Sequence, residues 1–525
     1  MALAFLCLLA SGLQISAVAG ASAAAPKAPA LEFLAPRFEA PYYRVRFPFE
    51  VKKERVQVKD LSLNGSSVTS FLVFAQGKPV ALTSLLEPGV YDVVLDYAWS
   101  SGKNYVAALQ YQAEGKPKAQ RFQVKGISPG EEGIAGGDEG FYRVYTVEEE
   151  AGVERRDETA VLTVTAPEGE LKEAGLVIFD GGRAVPFEII ESGASGPAEK
   201  AAATHPRTIT HKIALRLSAA AREKRWLLVL KGKNAEPASG GIRLTGEGLG
   251  KTVRTPHLTL EFSPKSGQLN TIESSDPAVR LYNKVGVIHW NPDVFVQGLG
   301  WDHSFDWNPP AAFAEKAGSF IYVNSRKGPL PHIPEVLLDV KYTVEAGSPY
   351  FISETRLNFE KDLGVIAVRN DEMVLFKELF DTLVYKDKTG GLVRLPLQEK
   401  EGLPFGLVHT APADIDWVGL VNTAQGYGFF SLRINAAEGN FEVPGAFPLK
   451  AGTCFYAPSD GNYVYWVRPL IYTWADFFTN TLHAFVPKGS FFYEKNAYGV
   501  WRVTDDLAQW LDELLVKLKN PLRVY

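Results

Sequence analysis

Cysteine is nearly absent from this sequence. The 525 residues include two cysteines, Cys7 and Cys454, and Cys7 lies inside an apolar run at the N-terminus. If that run is removed, one cysteine remains, which excludes a disulfide within the chain. The stability of the protein must then come from its packed cores.

Long hydrophobic runs are missing beyond the N-terminus. No later stretch reaches the roughly 18 uncharged apolar residues that a membrane helix requires, so no membrane partner is expected once the leader is gone. The first residues, MALAFLCLLASGLQISAVAGASA, combine an apolar run with small residues, although the first basic residue is Lys27. They predict a signal peptide over residues 1–23, cleaved after Ala19 or Ala23, and a secreted or periplasmic protein.

An excess of basic charge is also lacking. Lysine and arginine number 55 against 60 acidic residues, a formal net charge of −5, and no basic cluster is interleaved with aromatics. This balance argues against nucleic acid as a partner. The sequence also lacks GxSxG, GxxxxGK[ST], a Rossmann fingerprint and paired CxxC motifs, which disfavours nucleotide and serine-hydrolase chemistry. The absence of a repeat of 20–50 residues weakens a propeller or β-helix interpretation.

Short alternating strands, separated by Gly, Pro and Asn turns, occupy most of the chain. This pattern predicts a mostly β protein, and the length predicts three or four domains. We expect an immunoglobulin-like β-sandwich over residues 37–126, a Gly-rich acidic linker over 127–140, a small β domain over 141–245, a large β-sandwich over 250–503 and a C-terminal segment over 504–525.

The C-terminal segment, DDLAQWLDELLVKLKN, departs from the β pattern. Apolar residues recur at helical intervals at Leu507, Trp510, Leu511, Leu514, Leu515 and Leu518. The spacing predicts an amphipathic helix, packed on a sheet, with Thr504 or Asp505 as its N-cap.

One segment order resembles a known architecture. A strand pair ending GGRAVPFEI is followed by HLTLEFSPKSGQLNTI and then by a long aromatic β region. Over residues 141–500 this order is similar to the galactose-mutarotase-like supersandwich of carbohydrate-active enzymes, including polysaccharide lyases and mannosidase-type hydrolases. The resemblance implies a β-supersandwich and a polysaccharide or oligosaccharide partner. Those enzymes commonly carry a separate helical or α/β catalytic domain, which this chain lacks, so either the sandwich is catalytic or the protein is accessory.

The segment HWNPDVFVQGLGWDHSFDWNPP, residues 289–310, is the first candidate site. It gathers ionisable residues, namely His289, Asp293, Asp302, His303 and Asp306, beside the tryptophans Trp290, Trp301 and Trp307. Aromatic rings stack on the C–H faces of sugars, while carboxylates and imidazoles bind hydroxyls and transfer protons. The alternative is a structural loop whose aromatics plug one end of the sandwich.

The second candidate is Arg369–Glu372, which interrupts an otherwise apolar strand. A period of two places Arg369 and Asp371 on one face, and Asn370 and Glu372 on the other. Buried polar groups are costly unless they are paired or line a cleft. We expect this strand and residues 289–310 to meet in one cleft; the alternative is an Arg/Asp pair that satisfies itself at a bulge.

Further candidates are His332 and Tyr385. No cofactor is predicted. A divalent metal is an alternative, because Asp302, His303 and Asp306, with His289 nearby, supply suitable ligand types without matching HExxH or an EF-hand loop.

The sequence favours a polysaccharide lyase or related eliminase, with a glycoside hydrolase and a non-catalytic glycan-binding or scaffold protein as the two alternatives. A lyase of uronate-containing glycans would use His303 or Tyr385 as base or acid, and Arg369 with Asn370 to neutralise the uronate carboxylate. A glycoside hydrolase would use two carboxylates from Asp302, Asp306, Asp371 and Glu372. A non-catalytic protein would bind glycan through Trp290, Trp301, Trp307, His289, His332 and Asn370. The sequence does not indicate an oligomeric state.

Overall fold

The structure is a computed structural model, and it divides the chain into two compact units between Ile134 and Ala135. It describes residues 31–33, 37–39, 44–68, 71–76, 78–80, 84–96, 104–125, 142–167, 176–180, 183–195, 208–231, 241–397, 409–412, 415–443, 454–457, 459–460, 463–472 and 483–525. The predicted signal peptide and the predicted linker over residues 127–140 lie outside these ranges. The predicted domain limits stay predictions.

The first unit is a two-layer antiparallel sandwich. Its strands are β1 (Leu31–Phe33), β2 (Arg37–Glu39), β3 (Arg44–Val51), β4 (Val56–Leu63), β5 (Ser66–Ser67), β6 (Leu72–Ala75), β7 (Lys78–Val80), β8 (Gly89–Asp96), β9 (Asn104–Ala113) and β10 (Lys116–Lys125). One sheet has the order β1-β3-β8-β6-β7, with β2 also on β3, and the other has the order β10-β9-β4-β5. Phe47 and Phe49 from the first sheet pack with Leu109 and Tyr111 from the second, so alternate apolar residues form one core.

The second unit begins with two smaller sheets. Their strands are β11 (Tyr142–Glu148), β12 (Arg155–Pro167), β13 (Leu176–Asp180), β14 (Arg183–Ala184), β15 (Phe187–Ser195), β16 (Thr208–Ala219) and β17 (Lys224–Lys231). The orders are β14-β13-β17-β11 and β12-β16-β15. Leu162, Ile178, Leu215 and Val229 are fully buried between the sheets.

A five-stranded meander follows. It consists of β18 (Arg243–Glu247), β19 (Gly250–Arg254), β20 (Leu258–Phe262), β21 (Leu269–Ser275) and β22 (Ala278–Leu281), paired in sequence order. Its apolar face, with Leu260 and Ile272, joins the core of the large sandwich.

The large sandwich is built from the remaining strands. These are β23 (Asp293–Val296), β24 (Gly300–His303), β25 (Ala312–Ala317), β26 (Ile321–Pro329), β27 (Val336–Glu345), β28 (Tyr350–Phe359), β29 (Leu363–Val365), β30 (Ala367–Phe376), β31 (Thr382–Lys386), β32 (Leu392–Pro396), β33 (His409–Pro412), β34 (Trp417–Asn422), β35 (Tyr427–Asn440), β36 (Cys454–Ala457), β37 (Ser459–Asp460), β38 (Tyr463–Tyr472), β39 (Ala484–Val486) and β40 (Ser490–Arg502). Short 3-10 turns cover Ser304–Asp306 and Lys377–Leu379.

Two sheets face each other in this sandwich. The seven-stranded sheet has the order β24-β23-β30-β38-β36-β33, with β37 on β38, and the nine-stranded sheet has the order β25-β26-β27-β28-β40-β35-β34-β31-β32. A two-stranded ribbon pairs β29 with β39. Met373 and Trp466 of the first sheet pack against Phe429 and Tyr498 of the second. The inner face of the seven-stranded sheet is therefore the face that carries Met373.

The chain ends with helix α1 (Leu507–Lys519) and strand β41 (Arg523–Val524). Leu507, Leu511, Leu514 and Leu515 are buried against residues of the nine-stranded sheet such as Phe430. The predicted N-cap is wrong by one or two residues: Asp506 precedes the helix without a side-chain cap, because Leu507 N–H donates to the Thr504 carbonyl. Strand β41 then pairs with β11, which extends that sheet to β14-β13-β17-β11-β41.

The predicted fold class is confirmed: the described residues form β-sandwiches with a single α-helix, which lies near the C-terminus. Among the same residues, no helix is both long enough and apolar enough to cross a bilayer.

Candidate functional site

The two candidate segments meet in the seven-stranded sheet. Strand β23 lies between β24 and β30, so that Asp293 is opposite both His303 and Arg369. The hairpin that joins β23 to β24 turns through Gly298 and Gly300, whose φ angles of +84° and +85° suit glycine. This pairing brings residues 289–310 and the Arg369–Glu372 strand side by side, while the expectation that they line one cleft stays a prediction.

Asp293 is the centre of a buried ionic cluster. Arg369 donates from Nε to Asp293 Oδ1 at 2.9 Å and from Nη2 to Asp293 Oδ2 at 2.5 Å. Its Nη1 donates to Glu372 Oε1 at 2.9 Å. His303 Nε2 lies 3.6 Å from Asp293 Oδ2, and His303 Nδ1 lies 3.2 Å from Asp306 Oδ2. One guanidinium therefore bridges two carboxylates, with an imidazole at the rim.

The predicted faces of this strand are wrong. Bulges fall between Val368 and Arg369 and between Arg369 and Asp371. A bulge adds a residue and shifts the alternation, so Arg369 binds Glu372 and not Asp371. Asp371 instead points to the inner face, where it accepts hydrogen bonds from Trp466 Nε1 at 3.0 Å and the Tyr498 hydroxyl at 3.1 Å.

Glu372 is the least satisfied member of the cluster. Its side chain is 1% exposed, and Oε2 has no donor within close hydrogen-bond geometry, although the nearby Asn291 amide favours the ionised form. Burial raises the pKa of Glu372 to about 8, against the attraction of Arg369 and with the help of the Asp293 charge. At neutral pH this carboxyl group is largely protonated, as a general acid must be.

Half-buried aromatic rings surround His303. Trp290 meets the imidazole edge-on with a centroid separation of 5.9 Å, and Phe305 lies 4.8 Å away. The ring centroid of Trp301 lies 6.0 Å from that of His303. The Arg369 guanidinium stacks on Trp301, 3.6 Å from the Trp301 ring centroid. Tyr463 of β38 adds a contact to Trp290 at 6.2 Å. We call Trp290, Trp301, His303, Phe305 and Tyr463 the His303 face.

Asp302 and His332 form a separate pair. Because side chains alternate along β24, Asp302 points away from the His303 face. Asp302 Oδ2 accepts the His332 backbone N–H at 2.6 Å, and Oδ1 lies 3.1 Å from His332 Nδ1. Asp302 thereby orders the turn at His332.

Two other predicted binding residues are buried away from the His303 face. Trp307 is 4% exposed, donates from its indole to the Pro329 carbonyl and packs with Val294. His289 is fully buried against the Tyr342 hydroxyl at 2.5 Å, and burial lowers the pKa of its imidazole to about 3. In this geometry neither ring presents a surface to a glycan.

The structure does not bring Asn370 or Tyr385 to the cluster either. Asn370 is buried near Glu494, which belongs to the nine-stranded sheet. Burial raises the pKa of Glu494, whereas the hydrogen bond with Asn370 favours the ionised form of Glu494. Tyr385 lies on β31 in the same sheet, where burial raises the pKa of its phenol. The catalytic and binding roles assigned to these residues stay predictions.

Metal ligation gains no geometric support in the described part of the chain. His289 lies inside the sandwich and Asp302 faces away from His303, so the four predicted ligands do not converge. No group of three or more His, Cys, Asp or Glu side chains is placed to share an ion among the described residues.

A polar row crosses the inner face of the nine-stranded sheet and is not part of the predicted site. The cross-strand register aligns Asn324, Tyr342, Ser353, Asn496 and Arg433 over five adjacent strands. In β40 the signal is present in the sequence: Glu494, Asn496 and Tyr498 recur with a period of two, although only Tyr493 and Lys495 beside them are half-buried and Ala497 is buried. Polar residues at every second position of a strand point inward when that face of the strand is the buried one.

Comparison with known proteins gives only distant likenesses. No protein-family profile matches the chain, and no curated protein is similar to it in sequence. Among solved structures, an α-mannosidase from Enterococcus faecalis V583 has a TM-score of 0.46 at 11% identity, over 73% of this chain and 46% of its own. A protein in glycosyl hydrolase family 38 from Enterococcus faecalis has a TM-score of 0.45 at 10% identity, over 73% and 47%.

A galactose mutarotase-like protein from Lactobacillus casei ATCC 334 has a TM-score of 0.30 at 8% identity, over 50% of this chain and all of its own. These structures include mannosidase-type and galactose-mutarotase-like proteins, which the sequence resemblance names, but no polysaccharide lyase. The chain spans about half the length of the first two. At TM-scores below 0.5, the likenesses do not assign an activity to the chain.

Proposed function

We propose that the chain is a carbohydrate-binding protein that holds a glycan segment on the His303 face. The observation that carries the proposal is the set of half-buried aromatic rings around His303, with the exposed Asp306 carboxylate beside it. Indole and phenyl rings offer apolar surface to sugar C–H groups, and the imidazole and carboxylate offer hydrogen bonds to hydroxyls.

The uronate lyase predicted from the sequence is less favoured by this geometry. That reaction needs a cation directed at the substrate carboxylate. The Arg369 guanidinium is instead engaged by Asp293 and Glu372, and Asn370 lies near Glu494 on the inner face. Arg369 contacts the His303 face only through its stacking on Trp301, and Asn370 lies on the opposite face of the sheet.

Acid-catalysed glycoside hydrolysis is the second candidate, and Glu372 favours it. A carboxyl group that keeps its proton at neutral pH can donate it to a leaving glycosidic oxygen. Because Glu372 is buried beneath Arg369 and Trp301, this role requires movement of the covering side chains. Binding needs no such movement, so it ranks first.

The test is a panel of neutral and uronate-containing polysaccharides, assayed together for retention, new reducing ends and ultraviolet absorbance of unsaturated ends. We expect retention by wild-type protein and its loss in Trp290→Ala. Trp510→Ala is the matched control, since Trp510 is a partly exposed tryptophan on helix α1. New reducing ends that disappear in Glu372→Gln would establish the hydrolase, unsaturated ends would establish the lyase, and no retention of any polysaccharide would refute the proposal.

A further inference from the structure

The second unit contains a cavity apart from the His303 face. This open cavity of about 470 Å³ is lined by strand β12, the outer face of the nine-stranded sheet and the C-terminal segment from helix α1 onwards. Its volume falls in the range of roughly 300–1,000 Å³ that is usual for small-molecule pockets. The residues of the His303 face are not among its lining residues.

Apolar side chains in the cavity lining are exposed to solvent. Val161 lies mid-strand in β12 and is 44% exposed because it faces the cavity. Ile352 and Ile434 of the nine-stranded sheet and Leu518 of the helix supply further apolar surface. A ligand with apolar faces would remove this surface from water, which stabilises a complex.

The ionic part of the lining is balanced. Glu158 lies 3.0 Å from Arg155 Nη1 and 3.8 Å from Lys517 Nζ, and Lys495 Nζ lies 3.8 Å from a Glu354 oxygen. These charges already have partners of opposite sign, so the wall does not favour a ligand with a strong net charge. The same groups keep hydrogen-bonding capacity for hydroxyls.

The deeper wall adds neutral polar groups. Glu345 accepts a hydrogen bond from the Ser348 hydroxyl at 3.2 Å, and burial raises the pKa of the Glu345 carboxyl. Burial likewise raises the pKa of the adjacent Tyr350 phenol, which therefore stays a hydroxyl at neutral pH. A fully apolar ligand such as a lipid chain would cover these groups without offering them hydrogen bonds, which is less favourable than a ligand with hydroxyls.

From the volume, the open apolar surface and the balanced charges, we propose that this cavity binds a short neutral oligosaccharide. A sugar ring combines apolar C–H faces with neutral hydroxyls, and it matches both parts of the lining. This site is independent of the His303 face, so the two can succeed or fail separately.

The test uses the whole protein and isothermal titration calorimetry with cellobiose and maltose, compared with digalacturonate and the glucosamine disaccharide. We expect a neutral disaccharide to bind and the two charged ones to bind at least about tenfold more weakly. Val161→Phe should fill the cavity and weaken binding by about tenfold or more. Thr163→Phe is the control, because Thr163 is exposed on the same face of β12 and is not part of the lining.

A second variant covers the case in which Val161→Phe does not fold. Lys495→Ala removes a donor from the wall and should weaken binding, with a circular dichroism spectrum like that of the wild type. Trp290→Ala should leave disaccharide binding in the cavity intact even where it abolishes polysaccharide retention. Tighter binding of a charged disaccharide, absence of binding by both neutral ones, or full binding in a folded Val161→Phe or, where that variant does not fold, in Lys495→Ala would overturn the proposal.

Discussion

Two buried carboxylates of the second unit have opposite protonation states. Glu149 is 2% exposed and accepts hydrogen bonds from four backbone N–H groups, those of Ala151, Gly152, Val153 and Arg222, and from the Arg155 guanidinium. Burial alone would raise its pKa, yet these donors lower the pKa of Glu149 to about 2. Glu372 is likewise shielded from solvent but lies deeper in the protein, and its pKa is raised to about 8.

The difference lies both in depth and in the number of donors. In its described contacts, Arg155 binds one fully buried carboxylate, that of Glu149. It also donates to the backbone carbonyls of Lys517 and Asn520. Arg369 is shared between Asp293 and Glu372, and one Glu372 oxygen has no donor within close hydrogen-bond geometry. A fully satisfied network fixes structure, whereas an incompletely satisfied one retains a titratable proton. The comparison separates a structural ion pair from a candidate functional one.

The largest expected effect comes from breaking the satisfied pair. Arg155→Ala leaves Glu149 buried without its cation and the helix-end carbonyls without a donor, which should cost about 3–5 kcal/mol of stability. The measurement is the thermal midpoint of the second unit by differential scanning calorimetry. Arg156→Ala is the control, because Arg156 is exposed and pairs only with the exposed Glu154 in its described contacts. Equal midpoints for the two variants would contradict the structural role of Arg155.

The second prediction concerns pH. A pKa of Glu372 raised from 4.5 to about 8 means that the folded state holds the proton more tightly than the unfolded chain. The stabilisation is complete below about pH 4.5 and is lost as the pH rises towards 8. Glu372→Gln imitates the protonated acid, so its thermal midpoint relative to wild type should increase between pH 5 and pH 8 by roughly 3 °C or more.

Glu354→Gln provides a control of opposite sign. Although burial opposes ionisation of Glu354, its hydrogen bond with Lys341 and the neighbouring lysine charges lower its pKa. The contribution of Glu354 to stability is therefore present above the ordinary pKa of a glutamate and is lost as the pH falls. At higher pH the thermal midpoint of Glu354→Gln should lie below that of the wild type. Midpoint curves for Glu372→Gln and wild type that run parallel from pH 5 to pH 8 would count against a protonated Glu372.

The smallest expected effect on stability concerns Asp302, a buried carboxylate with fewer donors than Glu149. Asp302 accepts the backbone N–H of His332 as well as its ring nitrogen, and the His332 side chain is 71% exposed. His332→Ala keeps the backbone donor, so it should cost less than about 1 kcal/mol. Asp302→Ala removes both contacts and leaves a backbone donor unpaired, at about 1–3 kcal/mol. Urea unfolding measures both, and a larger loss for His332→Ala than for Asp302→Ala would contradict this ranking.

The sequence could predict the β alternation, helix α1 and the meeting of residues 289–310 with the Arg369–Glu372 strand, because each depends on periodicity or on misplaced polar residues. It could not predict which face each residue of that strand takes, since the bulges beside Arg369 leave no compositional mark. The inward row that includes Asn324 and Asn496 depends on cross-strand register, which is set by the assembled sheet. Burial of Trp307 beneath Leu330 is likewise a tertiary property.

The pairing of β41 with β11 has a consequence for biosynthesis. Glu148 pairs with Arg523, which is translated some 375 residues later. At roughly 5–20 residues per second, the edge of β11 waits roughly 20–75 s on the ribosome for this partner. During that time its backbone donors and acceptors are open to other strands, which is a route to aggregation. The nascent chain therefore depends on keeping this edge protected until its distant C-terminal segment emerges.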